Sequence, residues 1–455
     1  MTAVATSTHY PFPLNPSKPL VRLKLWNLMR DSRPDKLAEL AGQPRLLISR
    51  TALLQNVATI RRSVAPNVKL CAMIKADAYG HGATLVAEAL SNLSIPDRDY
   101  AAPAVDALAV ATIDEAAALA PARSRLPILI FQPVENAFIG MHRAQIELAI
   151  ANGWTLTLCS KSAADDVARI AGSIGASKSG AGRHLRANVQ VMIDTGMARS
   201  GECAYRAREL IERIARWPSL KLVGVCTHFA SAETANDLFA REQLQQFSDV
   251  THDLAGKVAR HACNSAGAFF LPNAHFDMVR PGIAMYGIDP TGKPSLDRAL
   301  RPAMSWLAPL VGIRDIPAGT TVGYNQTWRC IRPTRLGLVP IGYADGYLRA
   351  FSNRATMIVN HKPAPVVGRV SMDLTIIDLT EIPSASIGDD AVVLDSDPLS
   401  PASAYALAKL AGTIPYELFT RIGPRVNRVA VDPTDAELPD TNAASALGEI
   451  TEFDW

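Results

Sequence analysis

No stretch of about 18 apolar residues occurs in these 455 residues, so no membrane-spanning helix and no membrane partner is expected. Excess charge is also missing: a formal net charge of +3 is too small to predict a nucleic-acid partner. Cysteine is sparse and scattered. Cys71, Cys159, Cys203, Cys226, Cys263 and Cys330 show no paired metal-ligand spacing, so no metal is expected. They suit reduced thiols in a cytoplasmic protein better than a disulfide framework. Acidic residues are absent from Met1 to Arg30, which holds Lys18, Arg22, Lys24 and Arg30. That composition fits a transit peptide or a solvated basic arm, while Pro11, Pro13, Pro16 and Pro19 break up the apolar core that a secretory signal needs. Residues 1–42 read as a poorly ordered extension and residues 433–455 as an acidic tail.

What is present is a large soluble core: 48% hydrophobic and 20% charged residues, on a chain long enough for a barrel and a smaller partner. From Leu46 to about Tyr286, short apolar runs alternate with amphipathic stretches. The runs include Leu70–Ile74, Ala107–Val110, Ile128–Phe131, Leu156–Cys159, Val189–Ile193, Leu222–Thr227 and His261–Cys263. Helices are expected between them, as at Ser162–Ile174, with Ser160 as N-cap and Gly175 as stop, and at Tyr205–Arg216. This many strand–helix units predict an α/β chain with a closed (β/α)₈ barrel over residues 43–293, a doubly wound sheet being the alternative from pattern alone.

After about Pro294 the texture changes. Leu336–Ile341, Met357–Val359, Val366–Val367, Leu374–Leu379 and Ala391–Leu394 are short and separated by turn residues. Residues 294–432 therefore read as a mostly β C-terminal domain with one late helix, Ala402–Leu410, Pro401 suiting its first turn and Gly412 its end. No internal repeat is visible.

Polar residues gather where the apolar runs end. Lys75, His228, Asn264 and Arg280 each follow such a run directly, and Arg199 follows the run ending at Ile193. Strand C-termini form the active-site face of a barrel. A lysine there, partly desolvated, has the lowered pKa that frees its amine to form an imine with a carbonyl. Taken singly, each has a plainer reading: a surface lysine for Lys75, a satisfied buried histidine for His228.

The segment Ala72-Met73-Ile74-Lys75-Ala76-Asp77-Ala78-Tyr79-Gly80-His81-Gly82 closely resembles the cofactor-lysine motif of the alanine racemase family. The resemblance runs in order through about Leu46 to Val429. It implies that Lys75 covalently holds pyridoxal 5'-phosphate and that Tyr79 binds its phosphate. Thr227-His228-Phe229 resembles the segment whose histidine contacts the cofactor ring. His261-Ala262-Cys263-Asn264-Ser265-Ala266 resembles a phosphate-binding segment, with Asn264 and Ser265 at the cofactor. In Val279–Gly287 the resemblance sets Arg280 against the pyridine nitrogen and the amides of Gly282 and Ile283 at the phosphate. An arginine cannot give up its proton, so it would leave that nitrogen unprotonated, weaken the electron sink and favour quick return of the α-proton.

The second domain completes the pattern. Gly323–Trp328 resembles the segment carrying a second base, here Tyr324. Tyr343 matches a tyrosine on the substrate's way in, Met372 and Asp373 lie in a loop reaching the substrate carboxylate, and Tyr416 matches a phosphate contact. Racemisation needs two bases because the proton leaves one face of the α-carbon and returns to the other. The resemblance assigns the D-enantiomer's proton to Lys75 and the L-enantiomer's to Tyr324. It further implies a homodimer with active sites shared between chains, a small amino-acid substrate and D-alanine for peptidoglycan. Alternatives are a broader-specificity or serine racemase, a decarboxylase on a related barrel, and a non-catalytic cofactor carrier. One departure stands out: many members carry a carbamylated lysine seven residues before the arginine matching Arg199, and here that residue is Met192.

Overall fold

The computed structural model describes residues 42–95, 103–122, 124–134, 143–177, 186–234, 236–295 and 297–431; the acidic tail and all but the last residue of the N-terminal extension lie outside the described residues. Eight parallel strands follow one another in space as Met278–Val279, Lys69–Met73, Ala107–Val110, Ile128–Val134, Thr155–Leu158, Ala187–Asp194, Leu220–Cys226 and Ala259–His261. The two ends of this sheet meet. Asp277 N–H donates to Arg260 O (3.0 Å) and Arg280 N–H to Cys263 O (2.9 Å), which brings the barrel round on itself and excludes the doubly wound alternative. Strands covered on both sides read as continuous apolar runs, and Leu108, Leu156, Val189 and Val225 are fully buried. Among the described residues, no helix is long and apolar enough to cross a membrane.

Local chemistry explains the helices. Ser160 Oγ accepts from Ala163 N (3.2 Å) and caps the helix Lys161–Ser177 as its position predicts. Gly175 does not stop that helix, because a single interior glycine costs only about 1 kcal/mol against alanine. The expected helix over Tyr205–Arg216 is present as Ala204–Ala215.

The first strand corrects the reading by chain order. Arg45–Ser49 precedes the barrel but pairs antiparallel with Met304–Pro309 and parallel with Asn427–Val431. It thereby joins the six-stranded sheet of the second domain, and Arg45 fastens it with a bidentate ion pair to Asp390 (3.1 and 2.5 Å). Leu46 and Ile48 are fully buried there, each contributing about 1.5–3 kcal/mol. The second domain adds a three-stranded antiparallel sheet and a two-stranded hairpin, Thr321–Val322 with Trp328–Arg329, whose tip carries Tyr324. The late helix starts at Ala404 rather than Ala402, because Ser403 Oγ, not Pro401, provides the start by accepting from Ala406 N (3.2 Å). Gly412, with φ +70°, ends it as expected. A second late helix, Pro415–Arg421, was not expected; it opens with proline in its first turn and carries Tyr416 towards the barrel mouth.

Candidate active site

Lys75 leaves the strand Lys69–Met73 at the barrel's C-terminal face. Immediately beyond it, Ala76, Asp77, Ala78 and Tyr79 all have φ between 52° and 54°, one turn of left-handed helix. Such a turn costs about 1–2 kcal/mol per residue, so its surroundings must hold it. Ala76 N–H donates to Glu115 Oε1 (2.8 Å), and Asp77 Oδ1 accepts from Ala83 N (2.7 Å). Buried His81 places Nδ1 3.1 Å from Ala78 O and 3.0 Å from Tyr79 O. Arg428 Nε donates to Gly80 O (3.2 Å). At Gly80, φ +79°, a Cβ would lie 2.1 Å from Phe419 O, so the turn packs directly on the helix Pro415–Arg421. Burial, and then the charge of Arg199, depress the pKa of the Lys75 amine, while Glu115 pulls the other way.

Arg280 lies fully enclosed inside the barrel. Nη1 donates to His261 Nδ1 (2.7 Å), and Nη2 donates to Thr227 O (2.8 Å) and Ala262 O (2.9 Å) and lies 3.3 Å from His228 Nδ1. Because a guanidinium only donates, both histidines present a bare Nδ1 and stay neutral. Burial, followed by the charges of Arg280, Arg199 and Lys75, pulls the His228 pKa down to about 3. The buried thiols of Cys71, Cys226 and Cys263 are pushed up to about 12, 11 and 12, so none supplies Arg280 with a counter-ion at neutral pH. Nε has no partner among the described residues, leaving one donor of a buried, uncompensated cation for a ligand acceptor.

Around the other end of the site, Ser265 Oγ accepts from Gly282 N (2.9 Å) and Ala284 N (3.3 Å), which frees the hydroxyl proton for an outside acceptor. Ile283 opens the short turn Ile283–Tyr286. The Tyr79 hydroxyl closes over Gly282, 2.4 Å from where a Cβ would stand, and its ring lies 5.0 Å from Tyr286 and 6.0 Å from Tyr416. Burial pushes Tyr416 up to about 12 and raises Tyr79 as well, so both remain protonated donors. Asn264 Oδ1 caps the helix Ser265–Phe270 through Gly267 N (2.9 Å).

This set suits pyridoxal phosphate. It offers an amine of lowered pKa, a donor for the ring nitrogen, and hydroxyl donors for an anion about a glycine that leaves no room for a side chain. Arg199 stands at the same mouth, exposed, with no hydrogen bond or ion pair among the described residues. Met192 is buried with Cys159 and Cys226 against Phe131, and its Sδ accepts from Ser200 Oγ (3.2 Å).

The structure does not bring every expected residue to this mouth. Tyr324, Tyr343, Met372 and Asp373 are all exposed, Tyr324 by 68%, and touch none of the barrel-mouth groups through a hydrogen bond or ring contact among the described residues. Tyr343 N–H donates to Ser371 O (3.0 Å) and Ala344 N–H to Met372 O (3.0 Å), while Asp373 pairs with Arg425 (2.9 Å). Sequence reasoning missed Glu115, His261, Arg428 and Gln243. Glu115 had a signal, since Thr112-Ile113-Asp114-Glu115 spells the capping box that the structure contains.

Residues 48–290 match the family described as alanine racemase, N-terminal domain, and residues 303–430 its C-terminal domain. The alanine racemase of Chlorobaculum tepidum is 38% identical over 392 residues, 85% of this chain and 94% of that protein. That of Desulfovibrio desulfuricans is 35% identical over 395 residues, 85% of this chain and 97% of its own. Among solved structures, alanine racemase of Clostridium difficile 630 superposes with a TM-score of 0.75 at 29% identity, covering 86% of this chain and 96% of that one. The enzyme from D-cycloserine-producing Streptomyces lavendulae gives 0.73 at 32% identity, covering 86% and 97%. With both family domains matched in order along the barrel and the β domain, the chain belongs to the alanine racemase family.

Proposed function

We propose that this protein interconverts L- and D-alanine with pyridoxal 5'-phosphate held at Lys75, in the cytoplasm, supplying D-alanine for peptidoglycan. The observation that carries the reading is the pairing of a desolvated Lys75 with Arg280, a buried cation whose free donor faces no carboxylate. The cofactor, when bound, supplies the electron-withdrawing ring that acidifies the α-proton. Ser265, Tyr79 and Tyr416 hold the phosphate, and the amides of Gly282 and Ile283 border it. His228 would border the ring, Asn264 shapes the turn that carries Ser265, and Arg280 would donate to the ring nitrogen without protonating it.

Arg199 takes the substrate carboxylate. The Lys75 amine moves the proton on one face of the α-carbon and Tyr324 moves it on the other. Tyr324 of the same chain is exposed and without hydrogen bond or ring contact to the mouth among the described residues, which favours its delivery, together with Tyr343, Met372 and Asp373, by a second copy of the chain. A two-fold pair would then build two shared sites.

Borohydride reduction followed by peptide mapping tests the first part: the label is expected on the Lys75 peptide, and a label elsewhere overturns the assignment. Chiral chromatography over a panel of amino acids tests the substrate. For the shared site, Lys75→Ala and Tyr324→Phe subunits are mixed after reversible dissociation. Random pairing restores about a quarter of the sites if the residues meet across chains. If they meet within one chain, no activity returns although exchange has occurred.

A further inference from the structure

The helix Leu238–Thr251 turns Ala240, Gln243, Phe247 and Thr251 inward, a stripe in which an amide is out of place. Gln243 is fully buried, and every polar position of its side chain is engaged. Nε2 donates to His228 O (3.1 Å) and Thr195 Oγ1 (3.3 Å), and Oε1 accepts from Ala230 N (2.9 Å). Thr195 Oγ1 lies 2.7 Å from Thr227 Oγ1, and the Thr227 carbonyl accepts from Arg280. One buried amide thus ties together the turn bearing His228 and the loop bearing Arg199, on the strand pair that also carries Arg280's acceptor.

That loop is closed at its base, where Glu202–Cys203 pairs in parallel with Ile193–Asp194, and its span carries two further ties. Asp194 Oδ1 accepts from Gly196 N (3.0 Å) and Ala198 N (3.1 Å), and Ser200 donates to the Met192 thioether. No anionic side chain orients the Arg199 guanidinium among the described residues, and Met192 lies in an apolar sulfur cluster that cannot. The reach of Arg199 is therefore set by where its backbone is held.

We propose that Gln243 is a positioning residue for substrate carboxylate binding: it registers the Arg199 loop against His228, the task that no charged partner performs among the described residues. The inference rests on the reading that Arg199 takes the carboxylate. A misplacement of about 1 Å can cost up to about 100-fold in a positioned interaction, and here the loss falls on binding because Lys75 is held by other elements. Gln243→Leu leaves the His228 carbonyl and the Ala230 amide without their side-chain partner and the Thr195 hydroxyl with Thr227 alone.

The test uses the cofactor-loaded enzyme. In Gln243→Leu, KM for L-alanine is expected to rise about 10-fold or more while kcat stays within about two-fold. Acetate, a carboxylate without an amine, is titrated by calorimetry without turnover, and its Kd should weaken in the same ratio as KM. Loss of acetate binding in Arg199→Ala establishes that the titration reads this arginine. Thr195→Val should follow Gln243→Leu and Thr195→Ser should stay near wild type, so the threonine pair decides the matter if Gln243→Leu fails to fold. Unchanged KM and acetate affinity, or kcat falling alone with the melting temperature, overturns the proposal and makes Gln243 merely structural. Wild-type enzyme that does not racemise alanine overturns the proposed function instead, and the acetate series still reads whether Gln243 places Arg199.

Discussion

Gly282→Ala introduces a single methyl at the most crowded point of the site. The new Cβ would stand 2.4 Å from the Tyr79 hydroxyl, 3.0 Å from Cζ and 3.5 Å from Met73 Cβ. Gly282 has a negative φ, so the obstruction is contact rather than left-handed strain. Tyr79 cannot easily swing away: it is 8% exposed, braced by Tyr286 at 5.0 Å and Tyr416 at 6.0 Å, and rooted in the left-handed turn. An overpacked buried methyl costs about 1–3 kcal/mol. Displacing Tyr79 moves a proposed phosphate donor, so most of that cost should appear as weaker cofactor affinity, about 5- to 150-fold in Kd at 1.4 kcal/mol per tenfold. Equilibrium titration of stripped enzyme with pyridoxal phosphate, followed by absorbance, measures it. Tyr79→Phe removes the colliding oxygen and, with it, the proposed phosphate donor. If the clash is the cause, the double variant loses less affinity than the two single losses combined. Unchanged Kd in Gly282→Ala, or fully additive losses, refutes the reasoning.

Acid should destabilise the fold ahead of carboxylate titration. His81 and His228 are depressed to about 4 and 3, so they favour the folded state fully above their unfolded pKa near 6.5, and that contribution is lost as pH falls towards the folded values. Each costs about 1.3 kcal/mol between pH 7.5 and 5.5, readable as a drop in denaturation midpoint that a His81→Phe variant should partly remove. Arg280→Glu should slow racemisation and raise the share of transamination product, measured by chromatography of the keto acid; an unchanged ratio would mean that Arg280 does not face the ring. Activity at fixed pH should be independent of bicarbonate, since Met192 offers no amine to carbamylate, and clear activation would show another lysine in that role.

Much of the site was legible because its chemistry is local in the chain. Lys75 with Tyr79, Asn264 with Ser265, and Arg280 with Gly282 each sit within a few residues at the end of one strand, where a short motif and an apolar run fall side by side. The barrel followed from the repeated alternation of strand and helix, and Ser160 and Gly412 marked helix ends through their own cap geometry. Pairing is different. The sequence by itself counted Arg45–Ser49 within the barrel, but its partners lie more than 250 residues on, and only the fold decides which sheet edge a buried strand completes. Desolvation is equally non-local. His228, His261 and Arg280 acquire their protonation states from groups on separate strands. Gln243 reads as an ordinary surface glutamine until its helix is docked. The left-handed turn after Lys75 has no signature in Ala76-Asp77-Ala78-Tyr79, since none of these residues favours positive φ enough to impose it. It exists because Glu115, Arg428 and the backbone of Phe419 converge on it from distant parts of the chain, while His81 clasps it from the same segment.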